Sequence, residues 1–246
     1  MRNLFAIIIF SFTLFISCSK KEEQPMQQEK QPTMTEDQKF APLTDNKVSQ
    51  LLEKAKEAGK NDGNNPTAVL SQEEINAILA KVANTNVDQV AQNEIALLET
   101  NMGTIAIAFY SDIAPEHTKG FKRLVTTGYY DGTRFHRIID NFMIQGGDIL
   151  TRDNNPDNDG TGGPGYNLPA EFNNIPHDLG ILSMARAQDP DSASSQFFIC
   201  LDHVPFLNNQ YTAWGKVVEG MENVHAIKKG EPPREPTKIV TFRKAA

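Results

Sequence analysis

Phe135-His-Arg-Ile-Ile-Asp-Asn-Phe-Met-Ile-Gln-Gly-Gly-Asp148 is the stretch on which the reading of the fold turns. Two apolar runs, 135–139 and 142–144, are separated by Asp140-Asn141 and closed by Gly146-Gly147, which predicts two strands around a tight turn. Period-2 alternation puts Phe135, Arg137 and Ile139 on one face, and His136 and Ile138 on the other. A guanidinium on the same face as Phe135 is costly unless that face lines a groove where its donors find partners. The plainer alternative is an arginine at a solvated strand edge, and spacing alone leaves both readings standing.

Working outward, the same punctuation recurs on both sides. Residues 95–99 and 104–109 flank Asn101-Met-Gly103 and read as a hairpin. Pro115 then opens a helix with Phe121, Leu124 and Val125 facing inward, ended by Gly128-Tyr-Tyr-Asp-Gly132. Residues 151–178 are loop-like. Gly160, Gly162 and Gly165 fit G-x-G-x-x-G, but Pro164 sits inside the motif and no crossover helix follows, which argues against a dinucleotide site. Asn155, Asp157, Asp159 and Gly160 echo the start of a calcium loop, yet its twelfth position is Tyr166 where a bidentate Glu would be needed, so no metal site is expected. Short apolar strands are predicted at 180–185, 196–200, 211–218 and 238–242, and a second helix at 218–227. The expected fold is mainly β: a closed eight-stranded antiparallel barrel, which leaves no unpaired edge, capped by two helices and carrying an N-terminal helical extension.

Hydrophobic residues make up 39% of the chain, enough for a proper core, and the net charge of −7 argues against a nucleic-acid surface. Residues 1–17 have a basic start at Arg2 and an apolar run too short for a comfortable membrane span, the pattern of a secretion signal. Leu14-Phe-Ile-Ser-Cys18 resembles a bacterial lipobox, with Phe15 departing from the usual Leu; it implies lipidation of Cys18 and anchoring outside the cytoplasm. The remaining cysteine, Cys200, ends an apolar run and reads as a buried thiol, so no intramolecular disulfide is expected. Residues 18–45 are rich in Gln, Glu, Lys and Pro and form the expected disordered tether, in which Lys21-Glu-Glu23 resembles a surface-export signal. Residues 46–92 hold two helical patterns. The first carries Val48, Leu51, Leu52 and Ala55; the second opens on the capping box Ser71-Gln-Glu-Glu74 and continues with Ile75, Ile78, Leu79 and Val82. These helices either pack on the main domain and each other or form a partner-binding arm.

Three ordered blocks, 135–148, Gly180-Ile-Leu-Ser-Met-Ala-Arg-Ala187 and Ser195-Gln-Phe-Phe-Ile-Cys200, resemble the cyclophilin-type peptidyl-prolyl cis-trans isomerases over roughly residues 93–243. The resemblance implies an isomerase domain at 93–246 that needs no cofactor and works on Pro-containing polypeptides; a monomer is expected, though the sequence itself carries no signal of oligomeric state. It casts Arg137 as the catalytic arginine and Gln145 as the residue holding it and the substrate backbone. Phe142, Met143, Phe198 and Leu207 match the wall of the proline pocket, and Ala185, Arg186, Ala187 and Gln196 the strip along the substrate backbone. Phe206 and Tyr211 complete the rim, standing where many members have Trp and His; Arg186 stands where Asn is usual. His136 is read as a packed structural imidazole. The role implied is to assist folding of exported proteins, the alternative being a non-catalytic proline-binding or chaperone module of the envelope.

Overall fold

A computed structural model describes residues 49–50, 53, 68–91, 94–227, 230, 233 and 239–245. The secretion signal, Cys18, the tether and most of the helical pattern at 48–55 lie outside these residues.

β1 (Ile95–Thr100) and β2 (Gly103–Phe109) pair from Ile95↔Ala108 to Thr100↔Gly103, so the hairpin turns through Asn101-Met102 alone. The Thr100 hydroxyl ties that turn, accepting from Met102 N–H at 3.0 Å and donating to Gly103 O at 2.8 Å, while Gly103 takes φ 128°. Helix α2 (Pro115–Thr127) opens on the expected proline and stops at Gly128 in a left-handed conformation. β3 (Arg137–Ile139), β4 (Met143–Gly146), β5 (Ile181–Met184), β6 (Phe197–Cys200), β7 (Ala213–Glu219), a short helix α3 (Met221–His225) and β8 (Ile239–Ala245) follow. All eight strands pair antiparallel in one curled sheet of order β3-β4-β6-β5-β7-β2-β1-β8.

The expected closure is only partly drawn. Among the described residues no ladder joins the terminal strands β3 and β8. Each instead makes single contacts with neighbouring segments: Ile138 of β3 bridges Gly230, and Ile239 of β8 exchanges backbone hydrogen bonds with Gly132 and Thr133 at 2.6 and 2.7 Å. The second helix is also shorter than expected. β7 runs on through Val218 and Glu219, and Gly220 at φ 90° turns the chain before α3 can begin.

Alternation sorts the sheet into two apolar clusters. Ile138, Ile144, Leu182, Phe197, Ile199 and Trp214 point into the main core, where they meet Phe121 and Leu124 of α2. Met143, Ile181, Phe198, Cys200 and Ala213 point the other way into a second cluster closed by Ile175, Val204 and Leu207. Apolar residues on both faces explain why the strands read as continuous runs. The expected grouping of Phe135 with Arg137 fails here. Regular strand begins only at Arg137, and Phe135, two residues before it, is fully buried in the main core with Ile138.

Helix α1 (Gln72–Asn84) carries the predicted capping box, with Glu74 N–H on Ser71 Oγ and Ser71 N–H on Glu74 Oε2. Its buried Ile75 and Val82 join the main core, and Leu70 N–H donates to Arg152 O at 2.9 Å. The stripe of α1 is thus absorbed by the sheet domain itself.

Glu171 holds the start of α2 from a distant loop. Its carboxylate accepts the backbone N–H groups of Glu116 and His117, both at 3.0 Å, and lies 2.6 Å from Nδ1 of the fully buried His117. A carboxylate at a helix N-terminus meets both free N–H groups and the positive end of the helix dipole. Burial works against the charge, but the hydrogen bonds from His117 and Glu116 outweigh it and hold the Glu171 pKa below its ordinary 4.5. A carboxyl depressed in the folded state adds stability that is present above its unfolded pKa and is lost as pH falls through the folded one. Glu171→Gln should therefore lower Tm most at neutral pH, with the gap from wild type closing below about pH 4. Thermal melts between pH 3 and 7 check this, and a gap constant over that range contradicts it.

Candidate active site

Arg137 on β3 stands directly opposite Gln145 on β4, Gln145 opposite Phe198 on β6, and Phe198 opposite Ser183 on β5. Residues opposite one another leave the sheet on the same side. The register therefore lines a half-buried guanidinium, an amide and an aromatic wall along one row, on the face away from the main core. Met143, Phe198 and Leu207 are buried in the second cluster, with half-buried Phe142 and Tyr211 packed on it. Phe142 lies 5.6 Å from Phe206 and Phe198 5.7 Å from Tyr211, ring centre to ring centre. Phe206 is 61% exposed, an apolar ring held open to solvent at the rim.

Beside this apolar floor lies a polar cavity of about 660 Å³. One wall is Gln145, Gln196 and residues 185–187; the other is the glycine-rich loop 160–167. Gln145 Nε2 donates to Gln196 Oε1 at 3.0 Å, and Gln196 Nε2 donates to Gly160 O and Gly162 O at 2.9 and 3.0 Å. Ala185 N–H bonds Gln196 O at 2.9 Å, which ties the strip at 185–187 to β6. Arg186 turns its side chain away from the row: its guanidinium sits 4.6 Å over the Tyr211 ring and donates to Gln210 O. His136 is buried, its ring against Gly160. Asp159 in the same loop is half-buried, which pushes its pKa up to about 6 against the opposing charge of Arg134, with Asp148 and Asp153 adding to the rise.

Sequence reasoning passed over three supports of this site. Asp148 is fully buried and accepts N–H groups from Leu150, Gly160 and Gly162 at 2.7, 2.6 and 3.0 Å. His177 is fully buried behind Phe198, 6.1 Å ring to ring. Asn208 Oδ1 accepts both the His177 backbone N–H at 2.8 Å and, at 3.1 Å, the proton of Nδ1, leaving Nε2 to accept from the Ser183 hydroxyl at 2.9 Å. That tautomer is neutral, in keeping with burial lowering the His177 pKa. The arrangement fixes Asn208, and with it the turn that presents Leu207. His177 and Asn208 lie outside any periodic segment, so no pattern marked them. Cys200 lies beneath the apolar floor, where burial pushes its thiol up to about 12.

A permanent cationic fork in register with an amide, set beside an apolar slot and a run of backbone donors and acceptors, defines a site for an extended peptide with one apolar ring to seat. The comparisons give the class its family. Residues 95–244 match the model of the cyclophilin type peptidyl-prolyl cis-trans isomerase/CLD family, and the chain belongs to that family. It is similar to a probable peptidyl-prolyl cis-trans isomerase of Brucella abortus, 45% identical over 154 residues, covering 58% of this chain and 79% of the relative. It also resembles a peptidyl-prolyl cis-trans isomerase of Synechococcus elongatus, 41% identical over 138 residues, covering 55% and 90%. Among solved structures, a Cryptosporidium parvum cyclophilin type isomerase crystallised in the presence of the dipeptide Ala-Pro superposes with a TM-score of 0.56 at 31% identity, covering 62% of this chain and 99% of that one. A cyclophilin from Hirschia baltica superposes at 0.55 with 27% identity, covering 71% and 80%. The chain is a peptidyl-prolyl cis-trans isomerase.

Proposed function

We propose that Arg137 is the catalytic residue of this isomerase and that Gln145, Gln196 and the apolar floor position the peptide against it. The single observation that carries the assignment is the register of Arg137, Gln145 and Phe198 across three neighbouring strands. Rotation about an X-Pro bond faces a barrier of about 18–20 kcal/mol and takes roughly 10–100 s uncatalysed. The barrier is amide resonance, so twisting makes the prolyl nitrogen pyramidal and basic. A fixed donor aimed at that nitrogen stabilises the twisted state more than either planar one, which is the condition for acceleration. Arginine suits the task because its charge is permanent and its donors are rigidly placed. Phe142, Met143, Phe198 and Leu207 seat the proline ring, while residues 185–187 and Gln196 hold the flanking backbone. Protease-coupled isomerisation of a Pro-containing peptide, wild type against Arg137→Ala, tests the assignment.

We also infer that the sheet closes through the Gly230 and Ile239 contacts into a barrel, and that the enzyme works on exported proteins. The apolar run within residues 1–17 and the lipobox-like stretch ending at Cys18 support export and a lipid anchor, with residues 18–45 as tether. Metabolic labelling with a fatty acid, lost in Cys18→Ala, tests the anchor; protease treatment of whole cells tests surface display.

Cyclosporin should inhibit weakly. Phe206 and Tyr211 offer no indole N–H or imidazole at the rim, so the donor that many family members would present is absent there. Inhibition in the nanomolar range in the same peptide assay would contradict this.

A further inference from the structure

We infer that Asp148 is a positioning residue of the isomerase, acting on the catalytic row through the glycine loop; this rests on the site assignment above. Its carboxylate is fully buried and holds three backbone N–H groups at once: Leu150 at 2.7 Å, Gly160 at 2.6 Å and Gly162 at 3.0 Å. Two of those three belong to the loop across the cavity. The carbonyls of the same two residues, Gly160 and Gly162, take both hydrogens of Gln196 Nε2 at 2.9 and 3.0 Å. An amide with both hydrogens bound cannot flip, so Gln196 must turn Oε1 outward, where it accepts from Gln145 Nε2 at 3.0 Å. Gln145 in turn faces Arg137 across the β3–β4 ladder. A buried anion thus fixes the orientation of two amides beside the arginine without touching substrate.

The glycines fit this account. A Cβ on Gly162 would overlap the Asp148 carboxylate, and Gly147, next to Asp148, takes φ 89°. The loop can reach the carboxylate only because no side chain intervenes at 162. Gly160 and Gly162 thus form the surface on which Asp148 and Gln196 meet from opposite sides.

Asp148→Asn keeps the shape, but however the amide is turned its NH2 group faces a backbone N–H. The loop should lift, and kcat/KM for a Pro-containing peptide should fall about tenfold. In the Gln196→Ala background the same change should cost no more than about twofold, because its route to the site has already been cut. A full tenfold loss on top of Gln196→Ala overturns the inference, since a residue that merely supports the fold acts independently of Gln196. Side-chain amide signals of Gln145 and Gln196 in the 15N-labelled full chain give a second readout: both should move toward free-amide positions in Asp148→Asn, and unmoved signals overturn it. Gly162→Ala, which pushes the loop off an intact Asp148, should give the same shifts and serves where Asp148→Asn does not fold. Should Gln196→Ala alone leave activity unchanged, the assignment of Gln196 fails, and the amide signals still decide whether Asp148 orients the pair.

Discussion

Arg137→Ala is expected to lower kcat/KM toward a Pro-containing peptide by about 10²–10³-fold, the usual cost of removing a donor aimed at charge that develops in the transition state. The loss falls mainly on kcat, because the apolar floor and the backbone strip that hold the planar peptide remain. Folding should be unaffected. Arg137 is half-buried on the face away from the main core, and the backbone pairs Arg137↔Gln145 and Ile138↔Ile144 persist with any side chain at the position. Arg137→Lys restores charge without the rigid fork and recovers little. Activity within about threefold of wild type in a cooperatively folded Arg137→Ala protein would leave the row as a peptide-binding ledge, with the acceleration arising elsewhere.

How much of this was legible in the sequence depends on how local each interaction is. The hairpin of β3 and β4 was readable because Asp140-Asn141 lies between two apolar runs, and Asn141 duly takes φ 53°, within a turn that also takes in Phe142. The facing of Arg137 and Gln145 was not: it depends on Phe142 joining the turn, so that Ile139 stands opposite Met143, whereas a turn of Asp140-Asn141 alone would set Arg137 opposite Ile144. The faces themselves were harder. Alternation was extended two residues too far, back to Phe135, and in β6 both Phe197 and Phe198 are buried, one in each cluster, so hydrophobicity could not assign sides. The ends of elements were set by backbone conformation: Gly220 cut the expected second helix to Met221–His225. Least legible were the supports that join distant segments. Glu171 caps a helix more than 50 residues earlier in the chain, at sequence separations of 54 and 55. His177 and Asn208 are 31 apart. In each case one partner lies in the irregular stretch between β4 and β5, where neither period applies. The glycines at 160, 162 and 165 were visible but misleading as a motif, since their role depends on a carboxylate 12 and 14 residues back whose burial only the fold reveals.

The largest effect on stability is expected at Phe121, for a reason that also explains why α2 sits where it does. Phe121 is fully buried, and its ring lies 4.5 Å from Trp214, 5.1 Å from Tyr130, 5.8 Å from Phe109 and 5.9 Å from Phe197, centre to centre. It is the knob by which α2 is fixed to β2, β6 and β7 together. Neighbouring Gly120 lets the helix settle closely, a Cβ there falling 3.0 Å from Leu168. Truncating a phenylalanine in such a cluster costs about 3–5 kcal/mol, because four rings held by the sheet and its turns cannot collapse into the gap. For a domain of this size that corresponds to a fall in Tm of roughly 6–20 °C. Trp214, the chain's single tryptophan, packs against the deleted ring and reports the change directly by its emission. Phe121→Leu, which keeps most of the volume, should recover over half of the loss, whereas Arg137→Ala should leave the same melt in place. The two substitutions thus separate the faces of one sheet: one empties the core and spares the chemistry until the protein melts, the other removes the chemistry from an intact core. A Phe121→Ala protein melting within 2 °C of wild type would show that α2 is held by its capping at Glu171 and not by this ring.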